Sequence, residues 1–362
     1  MGCSLHSALP WLTDLRGLSA RVVERTVCPT GAGHARASWP ERTSLVLQVR
    51  DAAGHVGLGE AAPLPGFSRE TLEDARADLT RLTNGLVRAQ TASLCASVQL
   101  ALDTALLDLR GRQEGRPAWS LLRTDAAPEA LVCNGLLVGP PDTWERELRA
   151  LLERGVRCVK LKVGHAHLGV RAQIEALRRL TERLPADVSI RLDANRGFGG
   201  DDARLLRSEL DDPRFEYVED PVPADALDTL AGAGLGWAAD ELLLEAPARI
   251  HALGRPHGLV ALILKPTMLG SIARIVELVR GAGARNLDAV FTHSFEGPVG
   301  YAAAVHLAFA AAGPSPRAAG LAEHDVLRQW GATSARSDSR LARPEAPGLG
   351  LAPALRKALL DA

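Results

Sequence analysis

The sequence lacks the features that would assign it a role by composition. No apolar run among its 362 residues is long enough to span a membrane. The formal net charge is only −1, so no excess of either sign points to nucleic acid or an anionic lipid surface. The stretch from Met1 to Trp11 has no basic segment followed by an apolar one, which argues against a secretory leader. His6 stands where a myristoylation signal needs Ser or Thr. Cytoplasm is the expected location. The five cysteines (Cys3, Cys28, Cys95, Cys133 and Cys158) are odd in number and unclustered, which argues against a disulfide framework or a zinc site. Cys133 and Cys158 lie in apolar, strand-like runs and read as small core residues. The glycine-rich first turn of a dinucleotide-binding fold is absent.

What is present divides into parts. Residues 1 to about 60 have β character, with Thr43–Arg50 alternating up to a turn at Asp51–Gly54 and a short strand from His55 to Glu60. The run Ala61-Ala62-Pro63-Leu64-Pro65-Gly66-Phe67-Ser68 has too much Pro and Gly for regular structure and reads as a shaped loop. Ser68 is the expected cap of a helix running to about Thr83, and a second helix is expected over residues 92–113, stopped by Gly111 and Gly115. Strands followed by helices make residues 1–125 an α+β capping module. Residues 126–325 then alternate strand and helix about eight times, beginning with Leu131–Val138 and ending with a short strand at Arg317–Leu321. That pattern favours a (β/α)8-type barrel over an open sheet. Residues 326–362 turn irregular and are expected to pack back on the first module.

The second barrel strand, Cys158 to Gly164, carries an anomaly. Val159, Leu161 and Val163 share one face, and Lys160 and Lys162 share the other. Two like charges on one face of a buried strand demand compensation. Active sites of such barrels lie at the C-terminal ends of the strands, where the compensating acids are found. Strand three ends with Arg191, Asp193 and Asn195 on one face, strand four with Glu219-Asp220-Pro221, strand five with Asp240-Glu241, strand six with Lys265-Pro266, and strand seven with Thr292-His293-Ser294. Asp193, Glu219 and Asp240 would converge in the barrel mouth as hard oxygen ligands suited to Mg²⁺ or Mn²⁺. Lys162 and Lys265 then stand on either side, placed to move a proton next to a carboxylate. Lys160 and a nearby dication would lower the pKa of Lys162 toward the range of a general base. Taken singly each residue has a plainer reading: Asp193 as a helix cap, the lysine pair as edge-strand protection, His293 as a packed loop residue, Glu241 as a further ligand or a supporting acid. Their joint order on consecutive strands is what carries weight.

On Lys160-Leu161-Lys162, Asp193-Ala194-Asn195, Glu219-Asp220-Pro221, Asp240-Glu241 and Lys265-Pro266, the chain resembles the enolase superfamily, in its muconate-lactonizing subgroup. The loop Gly59 to Ser68, Arg191 to Arg196, and Lys265-Pro266-Thr267 followed by Gly270-Ser271 are most similar to the o-succinylbenzoate synthases. The resemblance implies a hydro-lyase of menaquinone biosynthesis that dehydrates 2-succinyl-6-hydroxy-2,4-cyclohexadiene-1-carboxylate, a small-molecule carboxylate. It implies Lys162 as the group that takes the ring proton and assists loss of the hydroxyl, Lys265 as the cation facing the enediolate, and Asp193, Glu219 and Asp240 as ligands of Mg²⁺. Lys160, Arg191, Asn195, Thr292 and Ser294 are candidates for tuning or substrate binding, with Arg42 a further candidate for the distal carboxylate. The segment Thr292 to Pro298 departs from the family's serine-rich pattern, and the last strand lacks the Asp-x-Asp of dipeptide epimerases. The alternatives are an N-succinylamino acid racemase or another epimerase on the same scaffold and, from a different class, a non-catalytic binding protein. The sequence carries no signal for an oligomeric state.

Overall fold

The computed structural model describes residues 5–6, 9–29, 33–34, 37–86, 93–137, 139–164, 168–332 and 339–362. Expectations that fall on Cys3, residue 92, Val138 and His167 lie outside these residues. In the N-terminal module, Arg42–Arg50 is the middle of an antiparallel sheet between Ser19–Val27 and Val56–Ala61. The middle strand is buried along nearly its whole length. The helix Ala96–Glu114 packs directly on the third strand. The approach is close enough to require glycine: a Cβ on Gly59 would stand 1.8 Å from the Ala101 carbonyl oxygen, and one on Gly57 1.9 Å from that of Ala105.

Two expected helix signals act differently. The first helix is Leu72–Asn84, and its cap is Thr71 rather than Ser68. Thr71 Oγ1 accepts from the Asp74 amide (3.1 Å) and Asp74 Oδ2 accepts from the Thr71 amide (2.9 Å), a reciprocal pair. Ser68 Oγ instead accepts from the Leu64 amide (2.9 Å), closing the proline-rich loop on itself. In the second helix Gly115 is the stop, at φ +67°. Gly111 lies within the helix, where a Cβ would meet Gly348 Cα at 2.8 Å. It permits contact with the C-terminal segment.

That segment is more regular than expected. It holds the helices Asp325–Gln329 and Pro353–Asp361 and the strand Arg340–Ala342, which pairs antiparallel with Ala130–Val132. Its contact with the first module centres on Asp108, which is fully buried. The Asp108 carboxylate accepts from the amides of Leu58 (2.9 Å) and Leu349 (2.8 Å) and from Arg356 Nη1 (2.9 Å). Gln48 Nε2 donates to the Leu359 carbonyl (2.6 Å).

The barrel strands are Gly135–Leu137, Cys158–Lys162, Ser189–Asp193, Phe215–Glu219, Trp237–Ala239, Leu259–Leu264 and Asp288–Phe291. They form one seven-stranded sheet, each parallel to its sequence neighbour. The expected eighth strand is reduced to Ala319 and Gly320, which bridge Cys133 on one side and Thr292 on the other in parallel. These bridges close a (β/α)8-type barrel. The expected first strand is two, because the chain changes partners around Asn134: Ala130–Val132 joins the tail and Gly135–Leu137 joins the barrel. The helix after the fifth strand is split into Leu242–Glu245 and Pro247–Ala252, since Pro247 can only begin a helix. The helix Pro298–Ala311 is buried on almost every face, because it packs between the barrel strand Asp288–Phe291 and the capping strand Val56–Ala61.

The close contact at Gly59 makes a stability prediction. Gly59→Ala should lower unfolding stability by about 3 kcal/mol, or prevent folding, through overpacking against a helix backbone that has no room to retreat. Chemical denaturation measures this, and an unchanged midpoint would contradict the packing described.

Candidate active site

Register brings the charged side chains together. Lys162 lies beside Asp193, and Asp193 beside Glu219, on adjacent parallel strands. Asp240 and Lys265 each follow the last residue of their strands. Lys160, Lys162, Asp193, Glu219, Asp240, Glu241 and Lys265 all line one cavity at the barrel mouth. The contacts are direct ion pairs. Asp193 Oδ2 accepts from Lys162 Nζ (2.6 Å) and from Lys160 Nζ (2.9 Å), and Lys160 Nζ also reaches Glu219 Oε2 (2.5 Å). Across the cavity, Lys265 Nζ donates to Asp240 Oδ2 (2.6 Å) and Glu241 Oε1 (3.3 Å). Lys160 starts two residues earlier in its strand, opposite Arg191, yet its ammonium reaches the same carboxylate oxygen as Lys162.

Burial and charge shift these groups strongly. Burial opposes the charged form of Asp193, but Lys160 and Lys162 outweigh it and hold the carboxyl well below the usual carboxylate range. Burial likewise opposes the charge on Lys160 and Lys265. Asp193 and Glu219 beside the one, and Asp240 and Glu241 beside the other, hold both ammonium groups well above their ordinary range. Asp240 goes the other way: burial, with Glu241 and Glu219 close by, raises its carboxyl even though Lys265 touches it. Asp220 is raised further, by burial and by Glu241 and Asp240. Its carboxyl oxygens accept from the amides of Asp240 (2.9 Å) and Leu242 (3.1 Å), tying strand four to the turn after strand five. Four carboxylates thus meet three lysines on the cavity wall, and one buried oxygen, Glu241 Oε2, has no hydrogen-bond partner.

This donor set fits a hard dication. The acids come from three separate strands and offer oxygen alone. The raised Asp240 carboxyl and the unpartnered Glu241 oxygen both mark an excess of negative charge that another cation would relieve. Strained backbone gathers at the same rim, with positive φ at Asn195 (43°), Arg196 (64°), Asp220 (38°) and Phe295 (56°).

The remaining candidates fall in different places. Asn195 Oδ1 accepts from Lys162 Nζ (2.9 Å) and orients it. Arg191 lines the cavity but is almost wholly buried, with Nε on Glu216 Oε2 (3.0 Å), Nη1 on the Ala318 carbonyl (2.6 Å) and its guanidinium over the Tyr217 ring at 5.0 Å. Thr292 Oγ1 is engaged by the Gly320 carbonyl (3.0 Å). Ser294 Oγ is buried, lines the cavity and has no partner. Arg42 does not line the cavity. Its guanidinium donates to the carbonyls of Ala62 (3.1 Å), Pro63 (2.8 Å), Ser294 (3.4 Å) and Phe295 (3.2 Å), tying the capping loop to the loop after strand seven. Trp39, Leu64 and Phe67 of the capping module complete the wall with Phe295.

Sequence reading missed Glu60. Its buried carboxylate accepts from Ser44 Oγ (2.7 Å) and from the amides of Gly297 (2.5 Å), Val299 (3.1 Å) and Gly300 (2.8 Å), at the start of the helix that follows the cavity loop. Burial raises its carboxyl in spite of these donors. An acid inside an otherwise apolar strand was the available signal. Also missed was His324, which packs against His293 with ring centroids 4.3 Å apart.

Comparison with known proteins gives a consistent picture. Residues 143–357 match the family described as enolase C-terminal domain-like, and residues 35–109 match that described as MenC, N-terminal domain. The o-succinylbenzoate synthase of Yersinia enterocolitica is 33% identical over 303 residues, which span 80% of this chain and 86% of its own. That of Aliivibrio salmonicida is 30% identical over 264 residues, 71% of this chain and 75% of its own. Among solved structures, an N-succinyl Arg/Lys racemase from Bacillus cereus matches with a TM-score of 0.80 at 18% identity, covering 95% of this chain and 98% of its own. A dipeptide epimerase from Methylococcus capsulatus, complexed with Mg and the dipeptide L-Arg-D-Lys, matches with a TM-score of 0.75 at 27% identity, covering 92% and 99%.

Glu60 supplies the prediction for this site. Glu60→Ala strands three buried amides at a helix start, so the protein should lose about 3 kcal/mol of stability. Thermal melting measures it; a loss no larger than that of a typical surface substitution would show that the contact is not structural.

Proposed function

The chain belongs to the enolase superfamily, and from that premise we propose that it is an o-succinylbenzoate synthase, a hydro-lyase that dehydrates 2-succinyl-6-hydroxy-2,4-cyclohexadiene-1-carboxylate to 2-succinylbenzoate in menaquinone biosynthesis. The observation that carries the reading is the pair of lysines, Lys162 and Lys265, on opposite sides of a cavity whose floor is carboxylate. Support comes from relatives of that name, similar over most of both chains.

In this reading Asp193, Glu219 and Asp240 hold Mg²⁺ or Mn²⁺, with Glu241 beside them. When bound, the dication supplies positive charge for the substrate carboxylate, making the adjacent C–H acidic enough to ionise. The chain's own groups do the rest. Lys162 removes the ring proton and returns a proton to the departing hydroxyl. Asn195, bonded to Lys162 Nζ, sets the direction of that amine. Lys265, held as an ammonium by Asp240 and Glu241, faces the developing negative charge. Lys160, held as an ammonium by Asp193 and Glu219, is the fixed charge beside the base. Trp39, Phe67 and Phe295 narrow the cavity from the capping side and exclude water.

Racemisation of an N-succinylamino acid is the second reading, because lysines on opposed faces of one carbon also allow proton exchange. A dipeptide epimerase fits less well: from the last strand, Ala322 lines the cavity where that activity would want an acid for the substrate's ammonium.

The purified protein with Mg²⁺ should convert the cyclohexadiene to the aromatic product, read by ultraviolet absorbance. Deuterium wash-in at the α-carbon of N-succinylamino acids tests the second reading. Absence of dehydration with metal bound would overturn the first. Lys162→Ala should abolish turnover, by about 10³-fold or more, while Mg²⁺ binding persists. Asp193→Asn should instead weaken the Mg²⁺ requirement curve by at least about tenfold. Near-normal turnover in Lys162→Ala would remove that residue from the base's role.

A further inference from the structure

Behind the cavity wall lies a cluster that the dehydration does not use. His293, Glu296 and His324 each offer a ligand atom, and these atoms lie within 4.8 Å of one another. The loop after strand seven supplies two of them. The left-handed turn at Phe295 (φ 56°) lies between His293 and Glu296 in that loop. His324 comes from the segment after the two-residue eighth strand.

His324 is 7% exposed, and neither of its ring nitrogens has a hydrogen-bond partner. A buried imidazole without partners is costly, and calls for a ligand that the ring can serve. The rings of Phe295 (5.4 Å) and Tyr301 (5.9 Å) pack edge-on against it and keep the site dry. His293 accepts only a long bond from the Phe295 amide, 3.3 Å to Nδ1. Burial depresses both imidazoles, that of His293 to about 3, so both are neutral, the state in which a histidine binds a metal. Glu296 is fully buried, and its two oxygens are oriented by Thr267 Oγ1 (2.7 Å) and by the Ser294 amide (2.7 Å). Fixed outer partners of this kind prepare a carboxylate for ligation and leave lone pairs free. Arg42 is the opposing positive charge nearby, and Glu60 faces it together with Glu296.

We propose that His293, Glu296 and His324 bind a first-row transition-metal dication of the Zn²⁺ class, at a position separate from the oxygen-ligand site on the barrel floor. Two imidazoles and one carboxylate select such an ion over Mg²⁺. A tetrahedral ion needs its donors about 3.3 Å apart, so binding draws the three side chains inward. Three protein ligands leave a fourth position open. His293 lines the cavity, so that position suits a carboxylate oxygen of a small acid bound there.

The test uses Co²⁺ as a spectroscopic probe on the full-length protein, stripped with chelator and then saturated with Mg²⁺ to fill the oxygen site. One equivalent of Co²⁺ should give tetrahedral-type visible bands in the wild type and in Asp193→Asn. His324→Ala and His293→Asn should weaken Co²⁺ binding by at least about tenfold. If His324→Ala fails to fold, His293→Asn decides, since that side chain is only partly buried. Absence of the bands in the wild type, bands unchanged in the folded histidine variants, or bands lost only in Asp193→Asn would each overturn the proposal.

Discussion

Burying ionised side chains together is tolerable only when opposite charges touch, and this constraint organises the barrel mouth. Lys160 and Lys162 meet on one oxygen of Asp193, and Lys265 spans Asp240 and Glu241. Each ammonium is desolvated and each is answered by a carboxylate, so the cost of burial is offset within the cluster. Compensation is uneven. The side holding Asp240, Glu241 and Asp220 is over-supplied with acid, which shows in the raised carboxyls of Asp240 and Asp220. A site balanced for a cation that comes and goes has this asymmetry; a purely structural salt-bridge network does not need it.

Much of this was legible in the sequence because a parallel barrel converts chain order into position. Alternation along one strand put Lys160 and Lys162 on one face, and succession of strand ends put Asp193, Glu219, Asp240 and Lys265 around one rim. What the sequence hid was mostly a matter of competing partners. Ser68 and Thr71 are both competent caps, and the choice went to Thr71 because only it has an acid three residues on. The eighth strand looked like five residues and is two, since its neighbours Cys133 and Thr292 sit at strand ends. Arg42 had the charge to grip a substrate carboxylate, but four backbone carbonyls lie within its reach. The pairing of His293 with His324 is a long-range contact between two loops, which no local pattern encodes.

The fold by itself does not choose among activities. Solved relatives that share the barrel and its cap include racemases and epimerases. The distinguishing features are at the walls: an aromatic rim from Trp39, Phe67 and Phe295, and Ala322 on the last strand. The same lysine pair can serve several reactions on a carbon next to a carboxylate, and the walls decide which acid is held there.

The bond from Glu60 to the helix after strand seven has a consequence for how such proteins can be recombined. The two modules look separable, one an antiparallel sheet and the other a barrel. Yet the carboxylate that starts a barrel helix belongs to the cap, and Arg42 of the cap holds the adjoining loop. A cap transplanted from a relative brings its own acid and its own strand position to that helix. Hybrids joined at the linker near residue 125 inherit a mismatch some 65 residues away, in the Glu60 contact, so the workable unit of exchange is the cap together with the loop after strand seven.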